Sequence, residues 1–379
     1  MSHAYIVDAI RTPVGRRKGS LAGMHPVALG ALPLKALLER TGVPASAIDD
    51  VVYGCVTPVG EQGANVGRLC ALEAGFPVSV TGVQINRMCG SGQQAFGFAA
   101  MGVASGFQDL VLAGGVELMS RVPMGSDMFL NGEMAAMAPE LGWRYSIIPQ
   151  GQSAELVAQT YGLSRAELDA YSLRSHERAA AAIDAGKVDS ELVAVDGVLS
   201  MDEGIRRDTT LEKLGGLKPA FREDGVITAG SSSQISDGAA ALLIASEDAV
   251  KRYNLKPRAR ILTAVTAGVD PTIMLTGPVP ASQKALAKVG MTMDQMDAVE
   301  INEAFASVAL GCGNALGVDW DKTNVYGGAI ANGHPLGASG AKLMTTLLNV
   351  LEREGGRYGL QTMCIGFGQA TATIIDTQV

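Results

Sequence analysis

Apolar and polar positions along the chain fall into two alternating rhythms. Short apolar runs at residues 4–8, 50–56 and 109–113 have the length and content of strands. Between them lie longer stretches in which apolar side chains recur every three or four residues, the spacing of helices. Residues 27–40 form one such stretch. Pro26 ahead of it reads as a break, and Pro33 within it predicts either a kink or a helix that begins near Pro33. Strands interleaved with helices of this length predict βαβ units, a mostly parallel sheet and an α/β fold. The longest apolar stretches, residues 95–104 and 238–245, fall well short of the roughly 18 residues of a membrane span, so none is expected.

The same rhythm returns at a distance. Ala36-Leu37-Leu38-Glu39-Arg40-Thr41-Gly42, followed by Ile48-Asp49-Asp50-Val51-Val52, is echoed by Ala285-Leu286-Ala287-Lys288-Val289-Gly290, followed by Met296-Asp297-Ala298-Val299-Glu300. Gly42 and Gly290 lie 248 residues apart, and so do the pairs Ser91-Gly92 and Ser339-Gly340, each of which opens an Ala/Met/Leu-rich helix. This offset predicts two similar halves about a pseudo-twofold axis, with the Ser-Gly helix starts meeting near it. Residues 119–236 break the pattern with smaller, more charged helices and loops, among them 164–185, where Ser164 and Glu167 have capping-box spacing. The expected organisation is a first half over 1–118, an insertion over 119–236, a return to the first half over 237–258, and a second half over 259–379.

Composition narrows the classes. A chain of 379 residues with 47% hydrophobic and 18% charged residues buries a sizeable core and is not disordered. A formal net charge of −8 argues against nucleic acid as a partner. The five cysteines, Cys55, Cys70, Cys89, Cys312 and Cys364, are odd in number and lack metal-ligand spacing, which predicts free thiols, a reducing compartment and no metal. The chain enters a strand-like run at once without a signal-like segment, so the expected location is cytoplasmic.

Few residues qualify for chemistry. Of the four histidines, His3 is terminal, His25 lies in a loop, and His176 falls among Arg174, Glu177 and Arg178, a pattern that reads as a solvated helix face. His334 sits in Gly333-His334-Pro335-Leu336-Gly337, where glycines let backbone approach a ligand closely. Cys89, in Met88-Cys89-Gly90-Ser91-Gly92, precedes a helix whose N-terminus favours the thiolate a nucleophile needs. Cys55, Cys70 and Cys312 read as inert buried thiols, and Cys364, before a Gly-rich turn, is compatible with either role. Asn302 and Glu303 end a strand, where they either orient a histidine or water or, more simply, cap the next helix. Together these groups suit acyl transfer through a thioester.

These stretches, in order and nearly end to end, resemble the thiolase family of CoA-dependent acyl transferases: Arg11-Thr12-Pro13-Val14-Gly15, the Cys89 segment, residues 230–240, Asn302-Glu303-Ala304-Phe305, Gly333-His334-Pro335 and the Cys364 turn. The resemblance implies a five-layer αβαβα core of two duplicated halves with an inserted, CoA-binding loop domain. It also implies assembly as a homodimer or homotetramer, with coenzyme A and acyl-CoA as substrates and no further cofactor. By the same resemblance Cys89 is the nucleophile, His334 its activator and Cys364 the general acid/base. One oxyanion hole would come from His334 and a water on Asn302, the other from the backbone N–H groups of Cys89 and Gly366. Arg206 would lie near the adenine-phosphate end of CoA, Phe221, Ala229 and Ser233 along the pantetheine, and Met274 and Phe305 near the thioester. Residues 201–225 hold five basic against six acidic residues, so charge alone indicates no phosphate patch there. Gln150, Tyr326 and Phe367 depart from the residues commonest in the family at their positions.

The implied activity is reversible acyl transfer, favoured as thiolysis of 3-oxoacyl-CoA, with condensation of two acetyl-CoA as the alternative. A decarboxylating ketoacyl synthase would need two histidines or a His-Asn pair rather than His with a second cysteine. A nicotinamide-dependent dehydrogenase is opposed by the lack of Gly-x-Gly-x-x-Gly after the first strand. A non-catalytic CoA-binding protein would have no need of both cysteines, His334 and Asn302.

Overall fold

The computed structural model describes residues 3–379. Nine strands form one hydrogen-bonded path: β1 (Ala4–Arg11), β2 (Asp50–Gly54), β3 (Thr81–Ile85), β4 (Leu110–Leu118), β5 (Ser236–Ser246), β6 (Ala259–Gly268), β7 (Ala298–Ile301), β8 (Tyr358–Ile365) and β9 (Gln369–Asp376), in the order β7-β8-β9-β6-β1-β5-β4-β2-β3. In each half a parallel pair (β2 with β4, β7 with β8) is followed by two antiparallel strands, so the same order occurs twice. The halves meet where β1 pairs antiparallel with β6 over two registered positions. The sheet is therefore mixed rather than mostly parallel, because β5 returns from the long excursion after β4 and β9 returns from β8 through a tight hairpin, and both run antiparallel to the strands before them.

The repeat is visible in the strands themselves. Asp50 and Ala298 start β2 and β7, and Leu110 and Tyr358 start β4 and β8, all at the offset of 248 residues. Helices α1 (Pro26–Thr41) and α6 (Pro278–Val289) close on Gly42 and Gly290, both left-handed C-caps at φ near +69°. α1 begins at Pro26, because a proline at the first helical position gives up an N–H that has no helical partner anyway, and it continues through the interior Pro33.

Alternation along the strands builds the layers. Leu110 and Leu112 of β4 face α1 and α2 (Val66–Glu73) on the outside, whereas Val111 and Ala113 face α3 (Ser91–Ala104) within. On the second half, Leu360 and Ile374 join the core beneath α6 and α7 (Ala306–Leu316). Between the halves of the sheet lie α3 and α8 (Leu336–Glu354), which bury Phe96, Val103, Met344 and Leu347 against both. Outer helices, sheet, central helices, sheet and outer helices make five layers.

The two central helices cross backbone to backbone. A methyl on Gly92 of α3 would stand 2.8 Å from Gly337 O of α8, and one on Gly340 of α8 2.0 Å from Gln93 N of α3, so neither position accepts a side chain. α8 starts at Leu336, one turn before the Ser339-Gly340 pair that marks it in the sequence.

Residues 119–235 add no strand to the main sheet. Their helices α4 (Gln150–Thr160) and α5 (Arg165–Asp184) leave from the first half but pack on the second, through Ser307 Oγ to Ala154 O (2.9 Å) and Tyr171 Oη to Glu303 (2.9 Å). α5 carries the capping box of Ser164 and Glu167. Arg11, buried in β1, pairs with Glu191 and Asp202 at 2.7 Å each and ties the far end of this segment to the first half.

Candidate active site

Cys89 stands two residues ahead of α3 on a turn whose Met88 is held at φ +45°. Asn86 Oδ1 accepts from Met88 N (2.8 Å), and Ser91 Oγ accepts from Arg87 N (2.9 Å) and donates to Met88 O (2.6 Å), so the strained turn is braced from both sides. The backbone at Cys89 and Gly366 and the Gln150 carboxamide favour the anionic form of the sulfur. Burial outweighs them and pushes the thiol up to about 11. The resting group is thus a thiol, not the thiolate that a helix N-terminus alone suggests, because the dry surroundings cost the anion more than the donors return.

Cys364 is the penultimate residue of β8, ahead of the hairpin Gly366-Phe367-Gly368, in which Phe367 and Gly368 take left-handed φ values of 61° and 76°. Two contacts dock this hairpin on the Cys89 turn: Arg87 Nη1 donates to Gln369 Oε1 (2.8 Å), and a methyl on Gly90 would strike Ile365 Cδ1. Burial, then the neighbouring sulfurs of Cys89 and Cys312, raise the Cys364 thiol well above its ordinary value. Met274 and Phe305 share the apolar cluster that contains Cys364.

His334 is buried two residues ahead of α8, after Gly333 at φ +84°, where a side chain would also strike Ser236 Oγ. Its Nδ1 lies 2.5 Å from Ser339 Oγ, and that hydroxyl donates to Pro335 O (2.8 Å). Ser339 therefore accepts from the ring, which assigns the proton to Nδ1 and leaves Nε2 unprotonated, as an acceptor. Asn302 Nδ2 lies 3.4 Å from Nε2, and burial, followed by the Lys342 charge, lowers the imidazole to about 3. The ring is neutral and oriented as a base. Cys89 and the α8 start share one apolar cluster, Cys89 with Leu336, Leu343 and Met363.

Asn302 and Glu303 do not cap α7, whose N-cap is Phe305 with no side-chain hydrogen bond. Asn302 faces His334, and its buried Oδ1 has no protein partner. Glu303 accepts from Tyr171 Oη, Ser175 Oγ (2.7 Å) and Ile330 N (3.1 Å), binding the inserted segment to the loop that leads into His334.

A cleft of about 700 Å³ opens beside this loop, lined by Arg16, Arg17, Arg206, Arg207, Ala229 and Gln234 among others. Gln234 O accepts from His334 N (3.2 Å), so the cleft wall is one hydrogen bond from the His334 backbone. Ser233 adjoins that wall, and Phe221 stacks edge-on against Phe305 at 5.8 Å. Arg16 and Arg17, from the far end of the sequence, bring the arginines lining the cleft to four, against the carboxylates Glu203 and Asp208, while Arg207 is engaged with Asp184 at 2.8 Å; the 201–225 count alone did not show this excess. The adjacent Arg16-Arg17 pair was the one sequence signal for it.

His176 is buried, not solvated: the 203–208 segment covers it, and its Nδ1 accepts from Arg206 N (3.2 Å). Burial and then the Arg206 charge lower it to about 4. Because the folded value lies below the unfolded 6.5, its share of stability is complete above pH 6.5 and lost as pH falls toward 4. Between pH 7 and 5 the wild type should lose on the order of 2 kcal/mol that His176→Gln does not. Urea midpoints at both pH values check this, since the like-signed contribution of His334 cancels between the two proteins.

Residues 4–248 match the thiolase N-terminal domain and residues 255–377 the thiolase C-terminal domain. The chain is 50% identical to steroid 3-ketoacyl-CoA thiolase FadA6 of Mycobacterium tuberculosis, over 99% of this chain and 94% of that protein. It is 46% identical to 3-oxoadipyl-CoA/3-oxo-5,6-dehydrosuberyl-CoA thiolase of Escherichia coli K12, over 99% and 100%. The crystal structure of Bacillus anthracis acetyl-CoA acetyltransferase superposes with a TM-score of 0.91 at 38% identity, covering 99% of each chain. With both halves and the segment between them accounted for by these matches, the chain belongs to the thiolase family.

Proposed function

We propose that this protein catalyses thiolysis of a 3-oxoacyl-CoA by coenzyme A, giving acetyl-CoA and a shortened acyl-CoA through an acyl-Cys89 intermediate. The observation that carries the reading is a pair of neighbouring, buried, protonated thiols, with Cys89 in one apolar cluster with Leu336, two residues beyond a neutral imidazole whose Nε2 is unprotonated. The Cys89 proton passes to His334 Nε2 as the sulfur attacks the C3 carbonyl, and the resulting oxyanion takes the N–H groups of Cys89 and Gly366. Cleavage of the C2–C3 bond leaves an acetyl-CoA enolate whose oxygen faces the His334 N–H and a water accepted by Asn302 Oδ1. Cys364 gives its proton to C2. Its thiolate then takes the proton of incoming CoA, whose sulfur displaces Cys89, and His334 returns the first proton.

The names of the relatives, which specify 3-oxoacyl-CoA thioesters, support the cleavage direction, and condensation of two acetyl-CoA would run through the same groups in reverse. Five free, buried thiols fit a reducing, cytoplasmic setting, and exposed Phe107, Val78 and Trp143 fit assembly as a dimer or tetramer. Among the described residues no helix is long and apolar enough to cross a membrane.

In the test, enzyme mixed with 3-oxoacyl-CoA and no free CoA should release one equivalent of acetyl-CoA and leave the remaining acyl mass on the Cys89 peptide. Release without an adduct would end the reading. The cleft is read as the CoA site, with Arg206, Arg16 and Arg17 toward the phosphates and Ala229, Ser233 and Phe221 along the pantetheine. Arg206→Ala should accordingly raise KM for CoA about tenfold at little change in kcat. Pantetheine, which lacks the phosphates, should be used equally well by both proteins as the acyl acceptor, and steady-state rates with each acceptor make the comparison.

A further inference from the structure

Glu117, the last residue but one of β4, is buried and outside the roles assigned above. Its Oε2 accepts from Val56 N (2.8 Å) and Gly337 N (2.9 Å), and its Oε1 from Gln62 Nε2 (2.8 Å) and Thr57 N (3.2 Å). The Cys55 thiol also donates to Oε1, at 3.8 Å. Every contact is a donor, so a proton on this carboxyl would face an N–H, and the geometry fits the carboxylate. Gly337 is the second residue of α8, whose N-cap Pro335 makes no side-chain hydrogen bond. Glu117 thus caps, from across the fold, the helix that His334 precedes. On its other side, Val56 O accepts from Asn86 Nδ2 (3.0 Å), and Asn86 Oδ1 holds Met88 N in the Cys89 turn. A methyl on Gly337 would stand 2.7 Å from Gly54 O and 2.8 Å from Cys55 Cα, so the two backbones touch where the carboxylate joins them.

We propose that Glu117 is a positioning residue, one buried carboxylate that fixes the Cys89 turn against the His334 end of α8 so that the thiol proton passes directly to Nε2. This rests on Cys89 being the nucleophile and His334 its base, and Glu117 touches neither reacting atom. Ser91 braces the first loop from within, and Ser339 orients the second from its own helix, whereas Glu117 spans the two. Proton transfer between two neutral groups depends on that spacing, and a displacement of about 1 Å costs on the order of a hundredfold in rate. A carboxamide does not replace the group: whichever way it turns, its NH2 meets two N–H donors, and Gln62 is kept from turning by Leu118 N on its Oε1 (2.7 Å). Aspartate keeps the charge and loses the reach.

The experiment mixes full-length wild type, Glu117→Gln and Glu117→Asp with acetoacetyl-CoA and no free CoA, and follows first-turnover acetyl-CoA release by stopped flow from pH 6 to 9. Both variants should react about a hundredfold more slowly at pH 7, with the half-saturating concentration within about twofold of wild type. The wild-type rate should be flat, because a thiol at about 11 and an imidazole at about 3 exchange the proton between themselves throughout this range. In the variants the sulfur must first lose its proton to solvent, so their rates should climb about tenfold per pH unit and recover near pH 9. Cys364 and Lys342, the other titratable groups facing this pair, are common to all three proteins, so a slope found in the variants alone belongs to the lost carboxylate. A wild-type rate in folded Glu117→Gln, or a loss that is the same at every pH, would overturn the role of Glu117 and leave the nucleophile intact. A wild-type burst without acyl mass on the Cys89 peptide would instead overturn the nucleophile. Should Glu117→Gln not fold, Glu117→Asp alone carries the comparison, with the same outcomes.

Discussion

Cys89→Ala should reduce kcat for thiolysis by at least about ten-thousandfold while leaving the dissociation constant for CoA within about twofold. The size follows from what the residue does. Without the sulfur there is no covalent intermediate, and CoA would have to attack in a site whose donors are aimed at an acyl-Cys89 oxyanion. Cys89→Ser is informative beside it, because the hydroxyl starts from a far higher pKa than a thiol and the imidazole facing it, held at about 3, is a weak base in this pocket. Serine should therefore recover less than about a hundredth of the wild-type rate. Stopped-flow release of acetyl-CoA and calorimetric CoA binding make the measurement. Residual turnover above one per cent in Cys89→Ala would place the nucleophile elsewhere.

Local signals were legible where the chemistry is local. Gly42 and Gly290 announce left-handed caps, and the paired Ser-Gly motifs announce two helix starts, because backbone conformation at these points is set by neighbours in the chain. The common offset then sufficed to predict the central crossing, since two similar halves can share one axis only by bringing equivalent elements together. What the sequence did not show depends on which surface covers which residue. His176 has the charged neighbours of an exposed helix face, and only the 203–208 segment folding over it makes it a buried acceptor. Glu303 has the position of a cap, and becomes an anchor because α5 arrives from 130 residues earlier in the chain with Tyr171 and Ser175.

The arginines of the cleft illustrate the same limit. Counting charges within residues 201–225 gives no basic excess, yet Arg16 and Arg17 cross from the first half to face Arg206. Burial likewise changed the reading of Cys89, since a helix N-terminus contributes a few tenths to about 1 kcal/mol whereas drying a thiolate costs several. The site accordingly stores its reactivity as neutral groups in the right order, with the imidazole proton pinned on Nδ1 by Ser339.

Cys364→Ala should separate the two halves of the reaction. In cleavage this thiol delivers the proton to C2 of the departing enolate, and in the reverse sense it removes that proton, so the variant should lose overall turnover by about a thousandfold, within the range expected for a positioned general acid. The acylation of Cys89 by acetyl-CoA asks less of Cys364, because a CoA thiolate leaves without prior protonation more readily than a carbanion does. That step should slow by only about tenfold. Exchange of the acetyl-CoA methyl protons with deuterated water, followed by NMR, reads the carbon acid step directly and should vanish in the variant while acetyl-Cys89 still forms. The thiol remains protonated through neutral pH, as burial and the adjacent sulfurs dictate, so wild-type exchange should rise with pH without a plateau below pH 9. Deuterium exchange that persists in Cys364→Ala would reassign the carbon acid–base to His334, the remaining titratable side chain at the site.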